Sequence, residues 1–299
     1  MSALPERNIL ITGASGQVGF ELVRSLQGLG RIVAPDRQAL DLGDFDQIRE
    51  VVRDVRPALI INPGAYTAVD QAEAEPEVAM RVNGVGPGVL AEVAKEVGAV
   101  LFHYSTDYVF DGTKADAYLE GDVTGPLNVY GASKLAGELA VEQAGCPWLV
   151  FRTSWVYGAR GRNFLRTMLR LGEERPELRV VADQIGAPTW SRTIASISAQ
   201  IAALGLLTHR GDTAWWAEQS GLYNLTASGS TSWAGFAEAI FQLAQPAART
   251  RVSPITSEEY PTPARRPKNS RLSSSKLVSR FGIFPPDWHD ALALCIRSL

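Results

Sequence analysis

Tyr130 and Lys134 stand four residues apart in the stretch NVYGASKLAGE (128–138). On a helix that spacing puts both side chains on one face. With eight tyrosines and five lysines in 299 residues, random placement gives roughly 0.13 such pairs, so the pair is unusual without being decisive. A free phenol titrates near 10, and an ammonium within a few ångströms favours the phenolate and lowers that value. A phenol tuned in this way exchanges a proton with an alcohol oxygen near neutral pH. The same lysine can bond a ribose. The small residues around the pair, Gly131, Ala132, Ser133, Ala136 and Gly137, are expected to leave room for ligands. The run YSTDYVF (104–110) supplies a third group. It closes an apolar stretch, so Thr106 and Asp107 fall at the carboxyl end of a strand, where doubly wound sheets gather their ligands. Thr106 there offers a second hydrogen bond to the reacting oxygen.

The second cluster is GASGQVG, with Gly13, Gly16 and Gly19 directly after the apolar run NILIT. Gly13 permits a tight turn, Gly16 lets a pyrophosphate approach the backbone, and Gly19 lets a helix pack close to the sheet. The N–H groups and dipole of that helix then favour phosphate beside Gln17 and Val18. A dinucleotide is the expected cofactor. Asp36, at the end of the next apolar run, is positioned for an adenosine ribose. A carboxylate there favours the free hydroxyl of NADH, while the adjacent Arg37 suits the 2′-phosphate of NADPH; NADPH is expected, with NADH possible. Asp41 and Leu42 can reach the adenine.

These groups need a scaffold, and the chain alternates strand and helix patterns through its first half. Apolar runs at 8–13, 31–36, 58–63, 99–106 and 147–158 read as strands. Helical patterns separate them at 17–29, 44–57, 75–98 and 128–145. Such alternation predicts an α/β fold with a doubly wound parallel sheet. Past Gly158 the loops lengthen and gain proline, with helices expected near 162–173, 191–204 and 232–244. We expect a Rossmann domain over 1–160, with return segments from about 183–225. A smaller substrate-binding part, interleaved with it, spans 161–299. In that part PARRPKNSRL (263–272) gathers Arg265, Arg266, Lys268 and Arg271. Arginine makes fork-shaped bonds to phosphate, so this stiff loop, Arg266 first, is expected near a substrate diphosphate or its sugar.

Composition narrows the class. A net charge of −3 and a pI near 5.7 give no basic surface for nucleic acid. Two cysteines and three histidines make neither a disulfide framework nor a zinc site. No apolar run reaches the length of a membrane span and none reads as a signal peptide, so a soluble cytoplasmic protein, a monomer or weak homodimer, is expected.

Together these residues resemble the extended short-chain dehydrogenase/reductases, which share GxxGxxG, a Ser or Thr ending the fourth strand, and YxxxK. More narrowly, the chain resembles the dTDP-4-dehydrorhamnose reductase family from residue 8 to about residue 290. The matching stretches include AYTAVDQAEAEPE (65–77), HYSTDYVFDG (103–112), PLNVYGASKLAGE (126–138), FRTSWVYG (151–158), DQIGAPT (183–189), GLYNLTASGSTSW (221–233) and YPTPARRPKNSRL (260–272). The resemblance implies NADPH-dependent reduction of the C4 ketone of a dTDP-linked sugar, dTDP-4-dehydro-L-rhamnose, to dTDP-L-rhamnose. It implies Tyr130 as proton donor with Lys134 as its helper, and Thr106 polarising the ketone. It puts Gly16, Gln17 and Val18 at the pyrophosphate and Ala65, Tyr66 and Thr67 along the cofactor crevice. Thr106, Asp107 and Trp155 would contact the sugar nucleotide. Some relatives are described with magnesium at a glutamate-lined dimer contact. Glu21 is present here, but WSRTIAS (190–196) lacks a glutamate, so no metal ligand is assigned. Pro63, in NPGAYT (62–67), departs from the Asn-Ala-Ala of relatives. Another nucleotide-sugar 4-ketoreductase, a 4-epimerase or a non-catalytic NADP-binding regulatory subunit stays open. A 4,6-dehydratase does not fit, since Asp107 is followed by Tyr108 and not by a second carboxylate.

Overall fold

Period-two alternation in the first strand sets the layering of the whole molecule. Ile9 and Ile11 enter one core with Leu22, Leu26, Phe102 and Trp216, whereas Leu10 enters another with Ile48, Val52, Ile60 and Leu101. A strand buried on both faces belongs in a parallel sheet covered by helices on each side. The computed structural model describes residues 7–244 and 250–299. Its first half runs β1 (Asn8–Ile11), α1 (Gln17–Ser25), β2 (Arg31–Val33), α2 (Phe45–Val55), β3 (Leu59–Asn62), α3 (Val69–Ala72), α4 (Pro76–Met80), α5 (Gly86–Val97), β4 (Val100–Thr106), α6 (Val129–Ala144) and β5 (Trp148–Thr153).

The strand Gly221–Asn224 returns to flank β5, giving a six-stranded sheet in which β5, β4, β3, β1 and β2 follow in that order. Every pairing is parallel, so the protein has a doubly wound α/β fold. The order reverses between β1 and β3, and ligands bind at such a switch point.

The remaining chain forms a third core, where Tyr157, Leu165, Phe236, Ile240 and Leu292 pack together. The helices Phe164–Glu174, Trp233–Ala244 and Trp288–Arg297 surround it, beside the paired strands Glu177–Val181 and Arg251–Ile255. The helix Ser191–Ala203 instead joins the sheet's core, through Ile194, Ile197 and Ile201.

The continuous helical pattern at 75–98 is broken in the structure. A π-helical turn, Arg81–Val85, separates α4 from α5. There Asn83 donates through Nδ2 to the Tyr66 carbonyl and accepts from the Tyr66 N–H, so the widened turn clamps the crevice loop. The short α3 and the helices Thr213–Gln219, Ser275–Phe281 and Trp288–Arg297 were not read from the sequence. Three of these are too short to show a full amphipathic period.

Candidate active site

The glycine turn is built by close contact. Gly13 holds φ +54°, and a Cβ there would lie 2.7 Å from Gly64 Cα, so the turns after β1 and β3 meet at the switch point. A Cβ on Gly19 would lie 2.2 Å from the Gly13 carbonyl oxygen, which explains why only glycine lets α1 start so near the sheet. Gly16 is the extended N-cap of α1, with no side-chain cap and no acidic residue in the first turn. The N–H groups of that turn are therefore open to an anion.

From this turn a crevice of about 710 Å³ runs across the carboxyl ends of the strands. Gly13, Gly16, Gln17, Val18 and Gly19 line one end, with Asp36, Arg37, Asp41 and Leu42 beyond them and Ala65, Tyr66 and Thr67 on the adjoining loop. Asp36 accepts from the Gln38 and Ala39 N–H groups at 2.9 and 3.0 Å, so one of its oxygens already orders its own turn. Arg37 is largely exposed and donates to Asp41 at 3.3 Å. The Tyr66 phenol donates to Glu75 at 2.8 Å.

Thr106, Asp107, Tyr130, Lys134 and Trp155 line the other end of the same crevice. Helix α6 starts at Asn128, whose Oδ1 accepts from the Gly131 N–H at 2.7 Å and whose Nδ2 donates to the Arg265 carbonyl at 2.8 Å. The helix then presents Tyr130, Lys134 and Glu138, one turn apart, to three groups of the sheet. Tyr130 faces Thr106, whose hydroxyl acts on the phenol. Lys134 Nζ lies 3.2 Å from His103 Nε2 on β4. Glu138 accepts two bonds from Arg152 on β5, at 2.9 and 2.6 Å.

Two expectations are corrected here. Lys134 does not lower the Tyr130 phenol: burial and the nearby Asp107 carboxylate raise it above the ordinary tyrosine value, with the Thr106 hydroxyl acting the other way. Lys134 has turned to His103 and is itself pushed down to about 8 by burial, with Glu138 acting the other way. The small residues of α6, for their part, serve packing more than ligand space. Cβ atoms on Gly131 and Gly137 would lie 2.2 Å from the Tyr108 carbonyl oxygen and 2.1 Å from that of Asn83.

Asp107 is buried, and burial pushes its carboxyl up to about 6, with the hydroxyls around it acting the other way; Thr106 Oγ1 donates to its Oδ1 at 3.1 Å. Its Oδ2 and the neighbouring Ser105 Oγ are buried without a hydrogen-bond partner, an arrangement that calls for an explanation at a binding site. Trp155 adopts φ +48°, rare for a bulky residue, and stacks on Trp233 at 3.6 Å and 8°. A Cβ on Gly186 would meet the Trp155 ring at 2.5 Å, so that glycine admits the indole.

Arg266 is not among the crevice residues. It donates to Asp70 at 2.9 Å, its Nε is buried and unpartnered, and its charge reaches the crevice through the Tyr108 phenol. The sequence reading passed over Tyr108, Arg162 and Trp233, all of which line the crevice, and over His103 beneath it. Among the described residues no group of three or more His, Cys, Asp or Glu is arranged to hold a metal, and no helix is long and apolar enough to cross a membrane.

A parallel sheet that reverses order beside a glycine turn, with a tyrosine, a lysine and a threonine meeting at its strand ends, defines a Rossmann-type short-chain dehydrogenase/reductase. The chain belongs to the family described as the RmlD substrate binding domain, whose model matches residues 7–299. It is 52% identical to a dTDP-4-dehydrorhamnose reductase of Burkholderia thailandensis, over 97% of this chain and 98% of that protein. It is 46% identical to the enzyme of the same name from Escherichia coli K12, over 98% of each. Among solved structures, the dTDP-4-dehydrorhamnose reductase of Bacillus anthracis in complex with NADP superposes with a TM-score of 0.90 at 37% identity, covering 98% of this chain and all of that one.

Proposed function

We propose that this protein reduces the C4 ketone of dTDP-4-dehydro-L-rhamnose to the alcohol of dTDP-L-rhamnose, with NADPH as reductant. The observation that carries the reading is the convergence of Thr106, Tyr130 and Lys134 at one end of a crevice whose other end is an uncapped helix N-terminus. Full-length relatives named for this reaction support it.

The residues fit a dinucleotide. The Gly13–Gly19 turn packs so closely that Cβ atoms on Gly13 and Gly19 would strike the backbone of Gly64 and Gly13, and the uncapped start of α1 faces the crevice. Gly16, Gln17 and Val18 would hold the pyrophosphate, Asp36 and Arg37 the adenosine ribose and its phosphate, and Asp41 and Leu42 the adenine. Ala65, Tyr66 and Thr67 would flank the middle of the molecule. When bound, the reduced nicotinamide supplies the hydride that C4 of the sugar takes up.

The chain's own residues do the rest. Tyr130 gives its phenolic proton to the C4 oxygen as that carbon is reduced, so one hydride and one proton convert ketone to alcohol. Its raised pKa keeps the phenol protonated through neutral pH, the state a proton donor needs. Thr106 gives the same oxygen a second hydrogen bond. Lys134, one helical turn along α6 and on the same crevice, would bond the nicotinamide ribose. Asp107, with its unpartnered oxygen, and the Trp155 face orient the sugar. The interleaved part after residue 160 would close over the nucleotide, with Arg266 near the diphosphate once freed from Asp70.

The test is absorbance at the reduced-nicotinamide band with enzyme, NADPH and a panel of nucleotide 4-ketosugars. Stoichiometric loss of NADPH with the dTDP-linked 4-dehydrorhamnose, and slower loss with other bases or sugars, is expected. Unchanged absorbance with that sugar, when NADPH is shown to bind, would refute the reading.

A further inference from the structure

Beneath Lys134 lies a buried polar chain that the reaction above does not use. His103 is fully buried and Lys134 nearly so. An ammonium has hydrogens to donate and no lone pair, so His103 Nε2, 3.2 Å away, must be the acceptor. The imidazole is then neutral, and its one hydrogen sits on Nδ1. Nδ1 lies 3.0 Å from the side-chain amide of Asn62. The other end of that amide is 2.5 Å from Thr12 Oγ1, which also accepts from the Gly64 N–H at 3.2 Å. The two ends of an amide have the same shape. In the structure the Asn62 NH₂ faces the ring and its oxygen accepts from Thr12 Oγ1; a hydrogen on Nδ1 requires the amide turned over, oxygen to the ring and NH₂ to Thr12. The polar chain is Gly64, Thr12, Asn62, His103, Lys134. It links the crevice turn to α6 through β1, β3 and β4.

We propose that His103 is a positioning residue of the reaction: its neutral ring, protonated on Nδ1, anchors the Lys134 ammonium one helical turn from Tyr130 and ties that anchor to the turn at Gly64. The inference rests on the reductase reading of the crevice. Burial first, and then the Lys134 charge, hold His103 well below its ordinary pKa, which keeps the ring an acceptor. The charged or titratable groups around Lys134 are few. His103 comes from β4, Tyr130 and Glu138 from its own helix, and Arg152 on β5 is bound to Glu138. Without His103 the ammonium has no neutral acceptor at this depth. A lysine stem has several rotatable bonds, so Nζ would lose its fixed position.

The experiment has two arms, and the first does not depend on turnover. The whole protein, with ¹⁵N-labelled histidine, is examined by NMR from about pH 6 to 7.5, below the Lys134 value. With only three histidines in the chain, the His103 signals are assigned by their loss in His103→Gln. The expected result is a ring that stays in the Nδ1–H form throughout. An Nε2–H ring, or one that titrates to imidazolium, overturns the proposal. In the second arm His103→Leu, which offers no acceptor, is compared with His103→Gln, which offers an oxygen. His103→Leu is expected to lower kcat about tenfold or more and to move the alkaline limb of its pH profile. His103→Gln should stay within about fivefold, and the sugar-nucleotide KM should hold in both. Equal losses with an unmoved limb, or no loss in either, mean that His103 only fills space. If His103→Leu does not fold, the tautomer decides alone. A wild-type protein that consumes no NADPH refutes the reductase reading while leaving the tautomer result standing.

Discussion

Replacing Glu138 by glutamine removes one charge from the Tyr130–Lys134–Glu138 stripe and leaves its shape. Glu138 and Arg152 are 3% and 2% exposed, and the carboxylate accepts both guanidinium bonds. Removing one partner of a buried pair costs about 3–5 kcal/mol. The glutamine oxygen keeps one weaker bond, and Arg152 keeps the Glu120 carbonyl and the Phe110 ring face, so the cost should sit near about 3 kcal/mol. In a chain of this size that corresponds to a fall of about 6 °C in Tm. A kinetic effect accompanies it. Glu138 is the charge that raises Lys134 against burial, so its loss drops Lys134 further below about 8. Folded Lys134 holds its proton less tightly than the unfolded chain does. Its burial therefore costs stability below about pH 8, and the cost fades as pH rises towards the ordinary lysine value of 10.5. In Glu138→Gln that interval opens at a lower pH, and the alkaline limb of the single-turnover rate should move down with it. Calorimetry and stopped-flow absorbance across pH give both numbers. Exchanging Arg152 for methionine as well, which leaves no unpaired guanidinium, should recover part of the Tm but none of the limb. A Tm within about 1 °C of wild type with an unmoved limb would refute the electrostatic coupling of this stripe.

Tyr130→Phe is expected to lose about 10² to 10⁴ in rate while still binding NADPH, and near-normal single-turnover reduction would remove Tyr130 as proton donor. Arg37→Ala should shift the ratio of specificity constants towards NADH; an unchanged ratio would leave Arg37 as the solvent-facing partner of Asp41 that its exposure shows. Arg266→Ala should raise the sugar-nucleotide KM more than it alters NADPH affinity. Because Asp70 holds this guanidinium, Asp70→Asn should lower that KM. Titrations in which neither substitution moves the KM would confine Arg266 to its ion pair.

What could be read from the sequence was what local spacing dictates. Gly13, Gly16 and Gly19 follow an apolar run, and Tyr130 and Lys134 share a helix face; both patterns are visible without knowing what lies opposite. Contacts across the fold were not visible. Strand β4 is buried at every residue, so no alternation in HYST tells which way His103 points, and the partner of Lys134 stayed hidden. Gly131 and Gly137 read equally well as room for a ligand or room for a backbone, and only the distances to Tyr108 and Asn83 decide. Arg266 finds Asp70 across 196 residues of sequence. The π turn at Arg81–Val85 follows from what the neighbouring loop needs, which the helix pattern does not record. Trp155, with its positive φ, stacks on Trp233, on a helix far along the chain.

The strand Gly221–Asn224 has a consequence for how such a protein can vary. It lies against β5, and the Leu225 N–H donates to the Arg152 carbonyl. Asn224 is held in turn by Glu120, Tyr118 and Ser273. The half of the chain that would recognise the sugar thus supplies the last rung of the half that would hold the dinucleotide. A crossover between two relatives at Gly158 would pair one parent's β5 with a foreign edge, or leave a row of backbone donors and acceptors bare. Exchange of sugar specificity by shuffling has to carry Ser191–Ala203 and Gly221–Asn224 with the sheet they complete. Inheritance of the two halves is linked by hydrogen bonds more than by their order in the gene.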